Sequence, residues 1–145
     1  MGLLRTTIVL LMGAAAFAAI APAGDLEIRR GGSLWARVES GGGIRIDGRL
    51  AGRWENDGRI RRDGSLVGQV EPDGTIRHDG SIVGRIEPDG TFRKNGSIIG
   101  RIETGGTIRR NGSIWGSVEP DCSAYESMRK TAAVLVFFEP GYFGD

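Results

Sequence analysis

The side chains in this chain that could do chemistry recur at a fixed interval. Arginine stands at positions 29, 45, 61, 77, 93 and 109 and glutamate at 39, 55, 71, 87, 103 and 119, each series stepping by sixteen residues. A ring built from Arg61, Arg77, Arg93, Arg109 and their equivalents could hold an acidic glycan or a phosphate. The glutamates give every such arginine a carboxylate within reach, so an Arg–Glu ladder on a sheet face is the competing reading. Repeated Asp-Gly and Asn-Gly pairs raise the question of calcium. The calcium-binding nonapeptide spacing is absent, however, and these are the residues that tight turns require. His78 is the single histidine, and its equivalents Arg30, Ile46, Arg62, Lys94 and Arg110 read as a solvated loop position. Ser81 and its equivalents have no base beside them in the pattern. The sequence therefore offers no catalytic residue, no metal ligand and no cofactor site, and it predicts a protein that is not an enzyme. Trp35 and Trp115 stand in the first and last copies, where they could stack on sugars, dock a partner or pack on each other.

The unit that positions these groups is Thr75-Ile-Arg-His-Asp-Gly-Ser-Ile-Val-Gly-Arg-Ile-Glu-Pro-Asp-Gly90, and six copies run without insertion from Glu27 to Cys122. Three positions of each copy are always apolar, exemplified by Ile76, Ile82 and Ile86. Their alternation has the period of a strand, and the glycine punctuation leaves no room for a useful helix. Both turns, His78-Asp79-Gly80 and Pro88-Asp89-Gly90, are expected to be three-residue hairpin loops. That register pairs Arg77 with Ser81 and Ile76 with Ile82, and it puts all three apolar positions on one inner face. A two-residue loop would set Arg77 opposite Ile82 and split the apolar set, so it is rejected. Each long strand, 81–87, is then shared between two three-stranded leaves, with Gly84 at the bend. Small leaves around one apolar centre arrange radially. An open meander would leave a broad apolar face wet.

The run of D/N-G-x-I-R-x-D/N-G-S-I-x-G-R-I-E units behind an apolar leader resembles the small secreted bacterial proteins called five-fold beta-flower proteins, over roughly residues 27–122. The resemblance implies an all-β, pseudo-symmetric rosette of β-hairpin repeats with no established activity. The chain carries six copies but only five complete shared leaves. A sixth forms if 117–119 returns to 26–29, so five-fold and six-fold closure both stand.

Residues 1–23 read as a secretory signal peptide, with Arg5, an apolar core and Ala21-Pro22-Ala23 as the cleavage site. Residues 24–122 form the repeat domain and 123–145 an apolar C-terminal segment. The chain is expected to be exported, periplasmic or extracellular, with membrane association a further option. Cys122 is the only cysteine, which rules out an intrachain disulfide. It marks either an inert repeat end or a bridge between chains. Ser123 and Glu126 have the form of a capping box, predicting a helix from Ala124 to about Glu139; a strand is the alternative. Val134, Leu135, Val136, Phe137 and Phe138 lie in a run too short to span a bilayer, so this stretch is a plug, an interfacial anchor or a partner-binding segment. A net charge of +1 with interleaved signs argues against nucleic acid. The expected function is an exported structural or binding module of the bacterial envelope. Alternatives are a glycan-binding module using the exposed Trp and the Arg ring, and a membrane-peripheral protein anchored by its C-terminal segment. The partner is not specified by the sequence: a protein, a glycan or a membrane surface all fit, as does a homo-oligomer.

Overall fold

A computed structural model of the protein describes residues 24–144; the expected signal peptide lies outside the described residues. Strand pairs recur at every repeat: β1 (Leu26–Arg30) and β2 (Ser33–Val38), β3 (Gly43–Ile46) and β4 (Arg49–Trp54), β5 (Arg59–Arg62) and β6 (Ser65–Val70), β7 (Thr75–His78) and β8 (Ser81–Ile86), β9 (Thr91–Lys94) and β10 (Ser97–Ile102), β11 (Thr107–Arg110) and β12 (Ser113–Glu119). Two helices follow, α1 (Tyr125–Phe138) and α2 (Pro140–Phe143). Apart from these the described residues are all-β. Its twelve strands form one antiparallel sheet closed into a barrel. The seam pairs Glu27 with Glu119 and Ile28 with Val118, which is the six-fold closure.

Each repeat makes two kinds of turn. At Pro88-Asp89-Gly90 the Gly90 N–H donates to the Glu87 carbonyl and Glu87 N–H to Thr91. Ile86 faces Phe92, and this is the expected three-residue loop. The other turn corrects the sequence reading. His78 pairs with Ser81 and Arg77 with Ile82, so the loop is two residues long. Asp79 and Gly80 both have positive φ, 51° and 86°, as a type I′ turn demands. The apolar set survives because the pairing then skips from Arg77–Ile82 to Ile76–Gly84, leaving Val83 as a β-bulge. The bulge absorbs the one-residue slip that led to the two-residue loop being rejected.

The bulge also exchanges which side chains face inward. Ile76 and Ile86 and their equivalents are buried as expected. The middle position is not. Leu34, Leu50, Leu66, Ile82, Ile98 and Ile114 are 45–68% exposed on the outside. Trp35, Val67, Val83, Ile99 and Trp115, expected to face outward, pack against the core instead.

A closed sheet of twelve strands encloses a lumen wider than one layer of side chains fills, and α1 occupies it. Met128, Thr131, Ala132, Ala133, Val134 and Leu135 cover every side of the helix, and all are fully buried. Fourteen residues at 1.5 Å rise give about 21 Å, close to the length of a six-residue strand, about 20 Å at about 3.3 Å each. Its N-terminal end lies at the three-residue turns, where the Tyr125 hydroxyl donates to the Ile86 carbonyl. Its C-terminal end lies at the two-residue turns. The expected capping box does not form: Ala124 is the N-cap, without a side-chain hydrogen bond, and the Ser123 hydroxyl donates to Asp121.

The helix fits because the strand glycines make room for it. A Cβ on Gly52 would lie 2.6 Å from Phe138 Cζ, on Gly68 2.4 Å from Phe137 Cζ, on Gly84 3.1 Å from Phe143 Cζ, and on Gly100 2.3 Å from the Tyr142 hydroxyl. Four consecutive repeats thus each seat one aromatic ring of the C-terminal segment. Glycine is required here for close approach.

Candidate functional site

The last residue of each short strand faces the barrel mouth at the two-residue turns, opposite the strand glycine: His78 pairs with Gly68 and Lys94 with Gly84. In the six repeats this column is Arg30, Ile46, Arg62, His78, Lys94 and Arg110. The sequence reading placed these residues in a solvated loop. They are strand ends rather than loop residues; Arg30, Arg62 and His78 are exposed as expected, and the basic members form a crown around the carboxyl ends of α1 and α2. Arg62 Nη1 donates to the Phe137 carbonyl at 3.3 Å, Lys94 Nζ to Phe143 at 2.7 Å and Arg110 Nε to Tyr142 at 2.6 Å. Arg30 pairs with Glu139. The last carbonyls of a helix lack partners within it and carry its negative end, so cations are the natural complement. Each of these cations also lies over an aromatic ring: Arg30 over Trp115 at 5.0 Å, Arg62 over Phe138 at 5.7 Å, Lys94 over Phe143 at 5.1 Å and Arg110 over Tyr142 at 5.7 Å. The available signal was composition, since five of six residues in the column are basic or histidine.

Between three of these residues the mouth keeps a cavity of about 270 Å³. Arg62, His78, Lys94 and Asn95 supply its polar lining, and Val67, Val83, Val136, Phe137 and Phe143 much of its apolar wall. His78 meets the edge of the Phe137 ring, with centroids 5.5 Å apart.

The arginines singled out from sequence lie elsewhere, on the outer wall. Arg61, Arg77, Arg93 and Arg109 each direct Nε to the glutamate six residues earlier, at 3.1, 2.8, 2.6 and 2.7 Å. Nη1 of each donates to the glycine carbonyl of the following two-residue turn. They form a brace on these four hairpins, and Arg45 does the same for β3 and β4. Opposite them stand the exposed aliphatics, with Arg77 paired to Ile82 and Arg61 to Leu66. Three shallow grooves recur on this wall at intervals of one repeat, about 340 Å³ at Leu34, 270 Å³ at Leu50 and 270 Å³ at Leu66.

Trp35 and Trp115 meet across the seam, edge to face, with centroids 5.8 Å apart. Trp115 also meets Tyr142 at 5.4 Å. Of the C-terminal candidates, Val134, Leu135 and Phe137 are buried, while Val136 and Phe138 are partly buried against the same core. Cys122 is buried with Sγ 3.6 Å from the Thr131 hydroxyl, and burial pushes its thiol pKa up. Arg129, which the sequence did not single out, is 8% exposed and satisfied by carbonyls: Nε donates to Glu71 at 2.9 Å and Nη2 to Val70 at 2.7 Å. Among the described residues no group of three or more His, Cys, Asp or Glu is placed to hold a metal ion. No helix among them is long and apolar enough to cross a membrane.

The fold and these surfaces define a closed barrel of six β-hairpin repeats around a central helix, with a basic mouth and an aliphatic outer belt. No family model, curated protein or solved structure matches the chain.

Proposed function

We propose that the protein is an exported, non-catalytic binding or structural module of the bacterial envelope, and that its working surface is the outer wall of the barrel. The observation that carries this is the aliphatic belt. Six large apolar side chains, one per repeat, stand 45–68% exposed at the same register. Single exposed aliphatics are ordinary, but a ring repeated in every copy is a contact surface. The recurring grooves beside Leu34, Leu50 and Leu66 support a partner engaged at several equivalent points. The absence of catalysis is supported by how the repeat carboxylates are used, in arginine pairs and in turns. Export rests on the character of residues 1–23, and the envelope setting also draws on the resemblance to beta-flower proteins.

The test is fractionation of cells expressing the full chain or a variant with Leu50, Leu66, Ile82 and Ile98 all changed to Gln. Both proteins should be exported, lose the leader near Ala23 and show equal thermal midpoints. Only the unaltered belt should co-fractionate and crosslink with envelope components. Retention of the leader in the cytoplasm, or equal association of both forms, would sink the proposal.

The two alternatives draw on groups that are occupied within the fold. Glycan binding through Trp35 and Trp115 requires that aromatic pair to open, and sugar-dependent quenching of their fluorescence would support it. Anchoring by Val134–Phe138 requires α1 to leave the barrel.

A further inference from the structure

We infer that the cavity in the barrel mouth is a binding site for a small amphiphilic carboxylate, with Arg62 and His78 receiving the anionic head and Val67, Val83 and Phe137 the apolar body. Three observations converge on this class. First, the polar lining comes from one register position of three consecutive repeats, Arg62, His78 and Lys94, joined by Asn95, and no Asp or Glu is among the described residues that line it. Second, donors remain for a ligand. Arg62 spends one of its N–H groups on the Phe137 carbonyl at 3.3 Å, and a guanidinium carries five in a fork that matches a carboxylate. The His78 imidazole has a T-shaped contact with Phe137 and a 3.6 Å approach of Nε2 to the exposed Asp79, and its side chain is about half exposed. Third, the opposite wall is aliphatic and aromatic, from the bulge residues Val67 and Val83 and from the helix end at Val136 and Phe137. A bare inorganic anion would leave that wall wet, and a hydrocarbon would leave the remaining Arg62 N–H groups without a carboxylate to receive them.

The volume bounds the ligand. About 270 Å³ is at the small end of ligand cavities, which suits a chain of some eight carbons rather than a full phospholipid. The site shares Val67 with the groove at Leu66 but uses none of the exposed belt side chains, so either surface can fail its test alone.

Octanoate is the probe, followed by amide NMR shifts on the full protein, with acetate and octan-1-ol as the headgroup-only and tail-only controls. Octanoate should cause saturable shifts confined to residues around 62, 67, 78, 83 and 95, with a dissociation constant on the order of 0.1–1 mM. Acetate and octanol should bind at least about tenfold more weakly, a difference of one factor of ten in affinity. R62Q should weaken octanoate about fivefold to tenfold, the range expected for losing a charged hydrogen-bonding partner. Arg62 also braces the helix end, so H78Q and the cavity-filling V83F are carried alongside it; the first should weaken and the second abolish the shifts. Equal binding of octanol and octanoate would reduce the site to an apolar cleft and overturn the proposal. So would octanoate shifts that persist unchanged in V83F and H78Q, or the absence of any saturable shift in the unaltered protein.

Discussion

At the residue scale, two sets of glycines do different work, and substitution separates them. A Cβ on Gly68 would stand 2.3 Å from the Arg77 carbonyl and 2.4 Å from Phe137 Cζ, so G68A overpacks the interface between sheet and helix. We expect it to cost about 2–4 kcal/mol in urea unfolding. Gly80 has φ 86° with open space around it, and G80A should cost only about 1 kcal/mol. Equal costs would mean that the aromatic seats are not tight. Titratable groups add a second prediction. Burial raises the pKa of the Tyr142 phenol, whose hydroxyl donates to the Arg109 carbonyl at 2.6 Å. The folded state therefore holds this proton more tightly than the unfolded chain. Its contribution is whole below the ordinary tyrosine value of 10.0 and is lost as pH rises above it. Tyr125, raised for the same reason, adds to that alkaline decline. Y142F should lose about 1 kcal/mol at neutral pH and show a shallower fall between pH 9 and 11. A fall as steep as that of the parent would assign the alkaline limb to other groups. In acid the sign reverses. Backbone and hydroxyl hydrogen bonds from Thr75 and Thr91 hold Asp73 and Asp89 below their ordinary value of 3.8. That stabilisation is present above pH 3.8 and lost as pH falls through the lowered values.

At the scale of elements, the sheet and the helix complete each other. Removing residues after Ser123 empties a lumen lined by Ile28, Ile44, Ile60, Ile76, Phe92 and Ile108 and strips the rings from four glycine seats. We expect a chain ending at Ser123 to lose native circular dichroism and aggregate; a soluble fragment with the parent β signal would show that the barrel stands without α1. This interdependence was only half legible in the sequence. Alternating Ile76, Ile86 and their equivalents marked the strands, and Pro88-Asp89-Gly90 marked its own loop length. The bulge at Val83 was not legible, because a β-branched residue in a strand looks the same whether or not it has a partner. One unseen extra residue moved Ile82 from core to surface and Val83 from surface to core. The crown was hidden similarly. Arg62, His78 and Lys94 resemble loop residues by type, and their inward direction depends on that two-residue turn. The apolar run near Phe137 was legible as something to be buried, but its burial inside the ring requires knowing that twelve strands close.

At the scale of the whole molecule, the six-fold ring brings the first and last repeats together, and Trp35 meets Trp115 only because β1 pairs with β12. It also sorts surfaces: a basic mouth, a braced and aliphatic wall, and an inner aliphatic lining that never meets solvent. The position of α1 has a consequence for the order of assembly. In the chain this helix follows all twelve strands, yet it ends at the centre of the barrel they make. A nascent chain emerging from its N-terminus has every hairpin in hand before the segment around which they close. Hairpins are local and form early, whereas the β1–β12 seam joins residues some ninety positions apart and pays loop-closure entropy before any reward. Until residue 143 is free, we expect the hairpins to remain an open arc with their inner aliphatics exposed, which the chain ending at Ser123 tests. A chain interrupted before α1 lacks the segment that fills the lumen, and one interrupted before α2 lacks the rings seated on Gly84 and Gly100.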